Sequence, residues 1–138
     1  LPVRVYSAHV ETMASLAGGR RREQAEALRA DALAHPHVLI AGDFNARKVV
    51  EEVFGRAEGF DWVTRNVGRT IARFSWDHVI VRGFRLRDCA SFGAVPNQLR
   101  ASDHAPVWAE VVPVTEGHAL DRPPASGVQS ADCGGPPP

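Results

Sequence analysis

The chain has 138 residues, is 44% hydrophobic, and carries 16 basic and 16 acidic residues for a formal net charge of zero. That size supports one domain with its own core. The balanced charge argues against a non-specific nucleic-acid binder or a protein held on an anionic membrane. No apolar run approaches the roughly 20 residues of a membrane span, no signal segment opens the chain, and two cysteines are too few for a disulfide framework.

The first predicted element is a strand over Val3–Val10, alternating apolar and polar residues and delivering His9 to its end. Arg20–Ala34 follows as a helix, rich in Ala, Leu, Glu, Gln and Arg, with Ala25, Leu28 and Ala32 on one stripe. Arg20, Arg21 and Arg22 read as a solvated face. Val38-Leu39-Ile40-Ala41 then runs into Gly42-Asp43-Phe44-Asn45. A short apolar run between Pro36 and Gly42 reads as a buried strand. If the extended geometry continues, Asp43 and Asn45 project to one side and Phe44 to the other.

Val49, Val50, Val53 and Phe54 predict a second, shorter helix. Beyond it the pattern changes to strands over Ile71–Phe74, Trp76–Val81 and Phe84–Phe92, with Arg82-Gly83 as a hairpin turn, and a last strand over Val107–Val114. Seven arginines (65, 69, 73, 82, 85, 87 and 100) against Asp77 and Asp88 offer forks for phosphate oxygens between residues 63 and 100. From Gly117 the Pro- and Gly-rich composition predicts a disordered tail over 117–138, with Cys133 inert within it. The domain proper is therefore expected over 1–116.

Two further constellations carry chemistry. Ser75-Trp76-Asp77-His78 places an acid inside an apolar strand, where a carboxylate must be paired, protonated or functional. Asp77 and His78 should face opposite ways there. Ser102-Asp103-His104-Ala105-Pro106 puts an acid and a histidine in a loop, where both can turn toward one pocket. A serine hydrolase elbow and a His-Glu-x-x-His zinc motif are absent from the sequence.

Taken in order, Ser7-x-His9, Gly42-Asp43-Phe44-Asn45, Trp76-Asp77-His78 and Ser102-Asp103-His104-x-Pro106 resemble the endonuclease/exonuclease/phosphatase family of deoxyribonuclease-like metal-dependent phosphohydrolases. The resemblance runs from Val3 to Val114. It implies an α/β fold, half of a four-layer α/β/β/α sandwich with a mixed or mostly antiparallel sheet, and attack of water on a phosphoester. It further implies that His104 is the general base or polarises the phosphate, oriented by Asp77. Asp43 would align or deprotonate the water, Asn45 would stabilise the transition state, and His9 would bind a phosphate oxygen. Asp103 and Asp43 would serve a Mg²⁺ or Mn²⁺ ion.

These residue types suit the reaction on their own terms, because an attacked phosphodiester needs neutral or cationic donors and a hard cation takes oxygen ligands. The family's earlier half, with an Asn and the chief metal-ligating Glu at strand ends, has no counterpart after Leu1. The expectation is a truncated domain with weak or no activity. Its substrate is a phosphoester of unresolved class (nucleic acid, phospholipid or small phosphate ester), and its uncovered sheet face is open to a second copy or to the missing half. The alternative is a non-catalytic remnant that acts by binding through that face.

Overall fold

The structure is a computed structural model and describes residues 1–12, 18–96, 101–114 and 133. It is a mixed α/β fold. A three-stranded sheet is formed by β1 (Arg4–His9), β2 (Val38–Asp43) and β3 (Asp77–Arg82), in the order β1-β2-β3. β1 runs parallel to β2, and β3 runs antiparallel to it. Two helices, α1 (Gly18–Ala32) and α2 (Arg47–Val53), lie between the strands in sequence.

Alternation along the strands sends two sets of side chains to opposite faces. Val38, Ile40 and Ile80 pack with Ala25, Leu28 and Ala32 of α1 and with Val49, Val50, Val53 and Phe54. The apolar stripes expected for both helices are thus the surfaces that cover this face. Leu39, Val79 and Val81 belong to a second core with Val63, Phe84 and Leu86.

Among the described residues β3 has β2 as its one strand neighbour, yet its outer edge is satisfied. The N–H of Asp77 donates to Thr70 Oγ1 at 3.2 Å, that of Val79 to Thr64 Oγ1 at 2.8 Å, and that of Val81 to the Asp61 carbonyl at 2.9 Å. Buried backbone donors left without such acceptors would be costly.

The later strands depart from expectation. Phe84–Phe92 is two strands, β4 (Phe84–Leu86) and β5 (Phe92–Ala94). They are separated by a turn in which Asp88 accepts from the Ala90 N–H and the Ser91 hydroxyl. Val107–Val114 is likewise two, β6 (Val107–Ala109) and β7 (Val111–Pro113). Each half pairs separately, β4 with β7 and β5 with β6. Arg82-Gly83 makes no hairpin, because β3 pairs with β2 while β4 pairs with β7. Gly83 lies at φ 71°, and a Cβ there would come within 2.3 Å of the Pro36 carbonyl oxygen, so the chain bends away against the α1–β2 connection. Residues 71–74 form a tight turn closed on itself, Phe74 N–H to Ile71 carbonyl at 2.7 Å.

Cys133 is neither inert nor peripheral. It is bonded to Cys89 and buried among Val63, Phe84 and Leu86. The Asn66 amide donates to its carbonyl at 3.0 Å. Two cysteines are too few for a framework but enough for one staple, and spacing in sequence could not reveal it. The remainder of 117–138 lies outside the described residues.

Among the described residues no strand pairs with the outer edge of β1. Val5 is 65% exposed, and Leu1 and Val3 are exposed beside it. At the other end of the same strand the approach to β2 is unusually close. Gly42 sits at φ 153°, and a Cβ on it would lie 1.8 Å from the Ala8 carbonyl oxygen. Gly42→Ala should therefore cost about 3 kcal/mol or more, as overpacking does where no side-chain end can yield. A fall in the urea midpoint with unchanged slope is the expected result. The cysteines bracket 44 residues, for which loop closure is worth about 4 kcal/mol in the chain-entropy model. Replacing both cysteines by serine should lower unfolding free energy by about 2–4 kcal/mol in denaturant titration.

Candidate active site

The register of the central sheet builds the site. His9 is the strand partner of Asp43, and Asp43 is the strand partner of Asp77. One row across three adjacent strands therefore carries an imidazole and two carboxylates, at the C-terminal ends of β1 and β2 and the start of β3. His104 comes from the loop before β6 and completes the group. Its Nδ1 donates to Asp77 Oδ2 at 2.8 Å, and its Nε2 lies 3.7 Å from Asp43 Oδ2. A carboxylate only accepts, which assigns the Nδ1–H tautomer to the neutral ring. His9 Nε2 lies 3.9 Å from the same Asp43 oxygen, with its side chain largely in solvent.

Asp43 is held from behind. Its Oδ1 accepts the Asn45 N–H at 2.7 Å, leaving Oδ2 directed between the two imidazoles. Asn45 itself does not continue the strand as expected. β2 ends at Asp43, and Asn45 adopts φ 49°, a left-handed conformation that Asn tolerates better than most residues. Its side chain is 5% exposed and donates to the Val10 carbonyl at 2.9 Å. Arg21 reaches across from α1 to the Asn45 carbonyl at 2.9 Å, so this arginine is no solvated charge. Asn45 is therefore a clasp that ties Asp43 to the end of β1 at Val10.

Asp77 and His78 face opposite ways, as the strand period requires. His78 is fully buried, edge-on to Trp62 at 4.9 Å, with Nε2 donating to the Ser75 carbonyl at 3.1 Å. Burial pushes its pKa down to about 4, only partly offset by that carbonyl. His78 is a neutral core residue. His104 behaves in the opposite way: burial works against its charge, but the hydrogen bond and charge of Asp77, with Asp43 and Asp103, outweigh it and raise the pKa.

Among the described residues, Asp43, Asp77 and His104 can each bring one ligand atom within 4.8 Å of the others. Asp103 is not in that group. It is exposed and acts on His104 through space. The carboxylates of Asp43 and Asp77 are the oxygen donors of this group, the kind of ligand a hard cation takes.

Three of the seven arginines are engaged elsewhere. Arg65 pairs with Glu51 and lies over Trp62, Arg87 pairs with Glu110 at 2.6 Å, and Arg82 donates to the His35 carbonyl. Arg73 lies over Phe74, which stacks on Trp76 at 4.9 Å, and Trp76 in turn lies 6.5 Å from the His104 ring. That aromatic flank carried no signal beyond ordinary core composition in the sequence. Arg100 lies outside the described residues.

The description Endonuclease/Exonuclease/phosphatase family matches residues 2–104. The chain belongs to this family. The fold agrees with solved structures at low identity. A conserved protein of unknown function from Enterococcus faecalis V583 superimposes with a TM-score of 0.61 at 19% identity, over 80% of this chain and 50% of that one. A truncated TDP2 from Caenorhabditis elegans gives 0.56 at 19% identity, over 76% of this chain and 52% of that one. The chain thus spans about half the length of these structures. No curated protein matches it by sequence.

Removing the Asp77 charge should lower the His104 pKa. The raised value means that proton binding by this ring favours the folded state, a contribution present below the unfolded-state pKa and lost as pH rises through the folded-state pKa. Asp77→Asn should move the His104 titration midpoint to lower pH, followed by ring-proton NMR, and remove that alkaline loss of stability.

Proposed function

We propose that this member of the endonuclease/exonuclease/phosphatase family is a divalent-metal-dependent phosphoester hydrolase whose chemistry centres on His104. The observation that carries the reading is the 2.8 Å Asp77–His104 hydrogen bond beside the outward Oδ2 of Asp43. Asp77 holds the ring in one tautomer and supports its positive charge, so Nε2 is the atom that can exchange a proton or hydrogen-bond a phosphoryl oxygen. Asp43 aligns the attacking water and accepts its proton. His9 and Asn45 act as donors toward the developing charge on the phosphoryl oxygens. Asp43, with Asp103 nearby, would hold Mg²⁺ or Mn²⁺, which when bound neutralises phosphate charge and polarises the P–O bond.

The overall architecture in this reading is half of a four-layer sandwich, with the three-stranded sheet as one inner layer and the helices outside it. Substrate is a phosphoester, with nucleic acid, phospholipid and small phosphate esters all compatible. Bis-p-nitrophenyl phosphate with Mg²⁺ or Mn²⁺ should be hydrolysed slowly, and His104→Ala should reduce the rate by about 10²–10⁴-fold, the usual worth of a general acid–base group. Hydrolysis indifferent to that substitution, or to chelator, would reject the assignment.

A second reading, an interaction module, is favoured by one observation, the exposed Leu1, Val3 and Val5 along the open β1 edge. In that case the chain should self-associate in light scattering, and Val5→Lys should return it to monomer.

A further inference from the structure

Thr70 lies outside every motif described above, yet it is bonded to the backbone of Asp77 and to that of Ala105, the residue after His104. It is 2% exposed. Its Oγ1 accepts the N–H groups of Trp76 at 3.1 Å and Asp77 at 3.2 Å, fixing the backbone at the point where β3 begins. Its carbonyl accepts the Ala105 N–H at 2.7 Å, so the residue after His104 is tied to the same site. Its own N–H donates to the Phe74 carbonyl at 2.8 Å, closing the turn between Thr70 and Trp76. Ile71, the next residue, forms an isolated bridge with His104.

Asp77 and His104 are 27 residues apart and belong to different segments. The 2.8 Å contact between them survives only if both backbones keep one relative position. Alternate β3 amides need acceptors in any case, and Thr64 fills the equivalent place for Val79. The Thr64 carbonyl accepts the Val67 N–H at 3.1 Å, whereas the Thr70 carbonyl accepts from the His104 loop.

We infer that Thr70 is the positioning residue of the Asp77–His104 pair, its hydroxyl registering the carboxylate and its carbonyl registering the imidazole loop. The inference rests on the proposed role of His104 in hydrolysis. It also makes a claim about ring geometry that can be read without turnover.

The experiment compares Thr70→Val, Thr70→Ser and Thr64→Val with the unsubstituted chain. One readout is the ¹⁵N shifts of the His104 ring in alkaline buffer, and the other is steady-state hydrolysis of bis-p-nitrophenyl phosphate with Mg²⁺. Thr70→Val keeps the side-chain shape and removes the acceptor. It should shift the ring from a single Nδ1–H tautomer to a mixture and lower kcat by about 10²-fold with little change in KM, the scale of a misplacement near 1 Å. Thr70→Ser should restore both readouts. Thr64→Val should lower Tm while leaving ring and kcat as they were.

An unchanged tautomer and kcat in Thr70→Val, or equal ring changes in Thr70→Val and Thr64→Val, would overturn the inference. Should Thr70→Val fail to fold, Thr70→Ala against Thr70→Ser isolates the same oxygen under the same criteria. A chain with no hydrolysis in any form would sink the hydrolase reading alone, because the ring shifts still decide on Thr70.

Discussion

The site depends on strand register. His9, Asp43 and Asp77 are far apart in sequence and lie in one row only because β1, β2 and β3 pair as they do. A slip of one residue in β2 would turn Asp43 to the helix-covered face and bring Gly42 into the row. It would also expose Ile40 and bury Ala41, so burial of the core and assembly of the site are enforced by the same pairing. Gly42 is the point of closest approach, where the Ala8 carbonyl leaves no room for a Cβ.

Around that row the molecule spends polar groups on holding backbones in place. Asn45 fixes Asp43 by its N–H and β1 by its amide, while Arg21 fixes Asn45 by its carbonyl. Threonine hydroxyls stand where a further strand would otherwise supply acceptors to β3. The consequence is a site whose ionisable side chains are held from behind by backbone and side-chain hydrogen bonds. His78, one residue from Asp77, shows the contrast. Turned to the other face of the same strand, it is desolvated, neutral and edge-on to Trp62.

The second layer is assembled from short pieces. β4–β7 and β5–β6 are separate two-stranded ladders, and their packing is closed from beneath by Cys133 and its bond to Cys89. Short paired segments bury little each, so a covalent tie at this position offsets loop entropy that the ladders alone would leave unopposed.

Much was legible in the residue order. Alternation in β1, apolar runs in β2 and β3 and helical stripes in α1 and α2 located these elements, because burial imposes a pattern on sequence. The four short motifs carried the family, and the alternation at Asp77-His78 set the two side chains on opposite faces. Pairing was not legible. Nothing local distinguishes a continuous strand over 84–92 from two strands with different partners, or marks Arg82-Gly83 as a crossing between sheets rather than a hairpin. The left-handed turn at Asn45, the Cys89–Cys133 bond and the double grip of Thr70 are likewise set by groups distant along the chain. Sequence by itself determined which side chains are chemically able to act. Tertiary structure alone decided which of them meet, since contacts between distant segments depend on how the whole core closes.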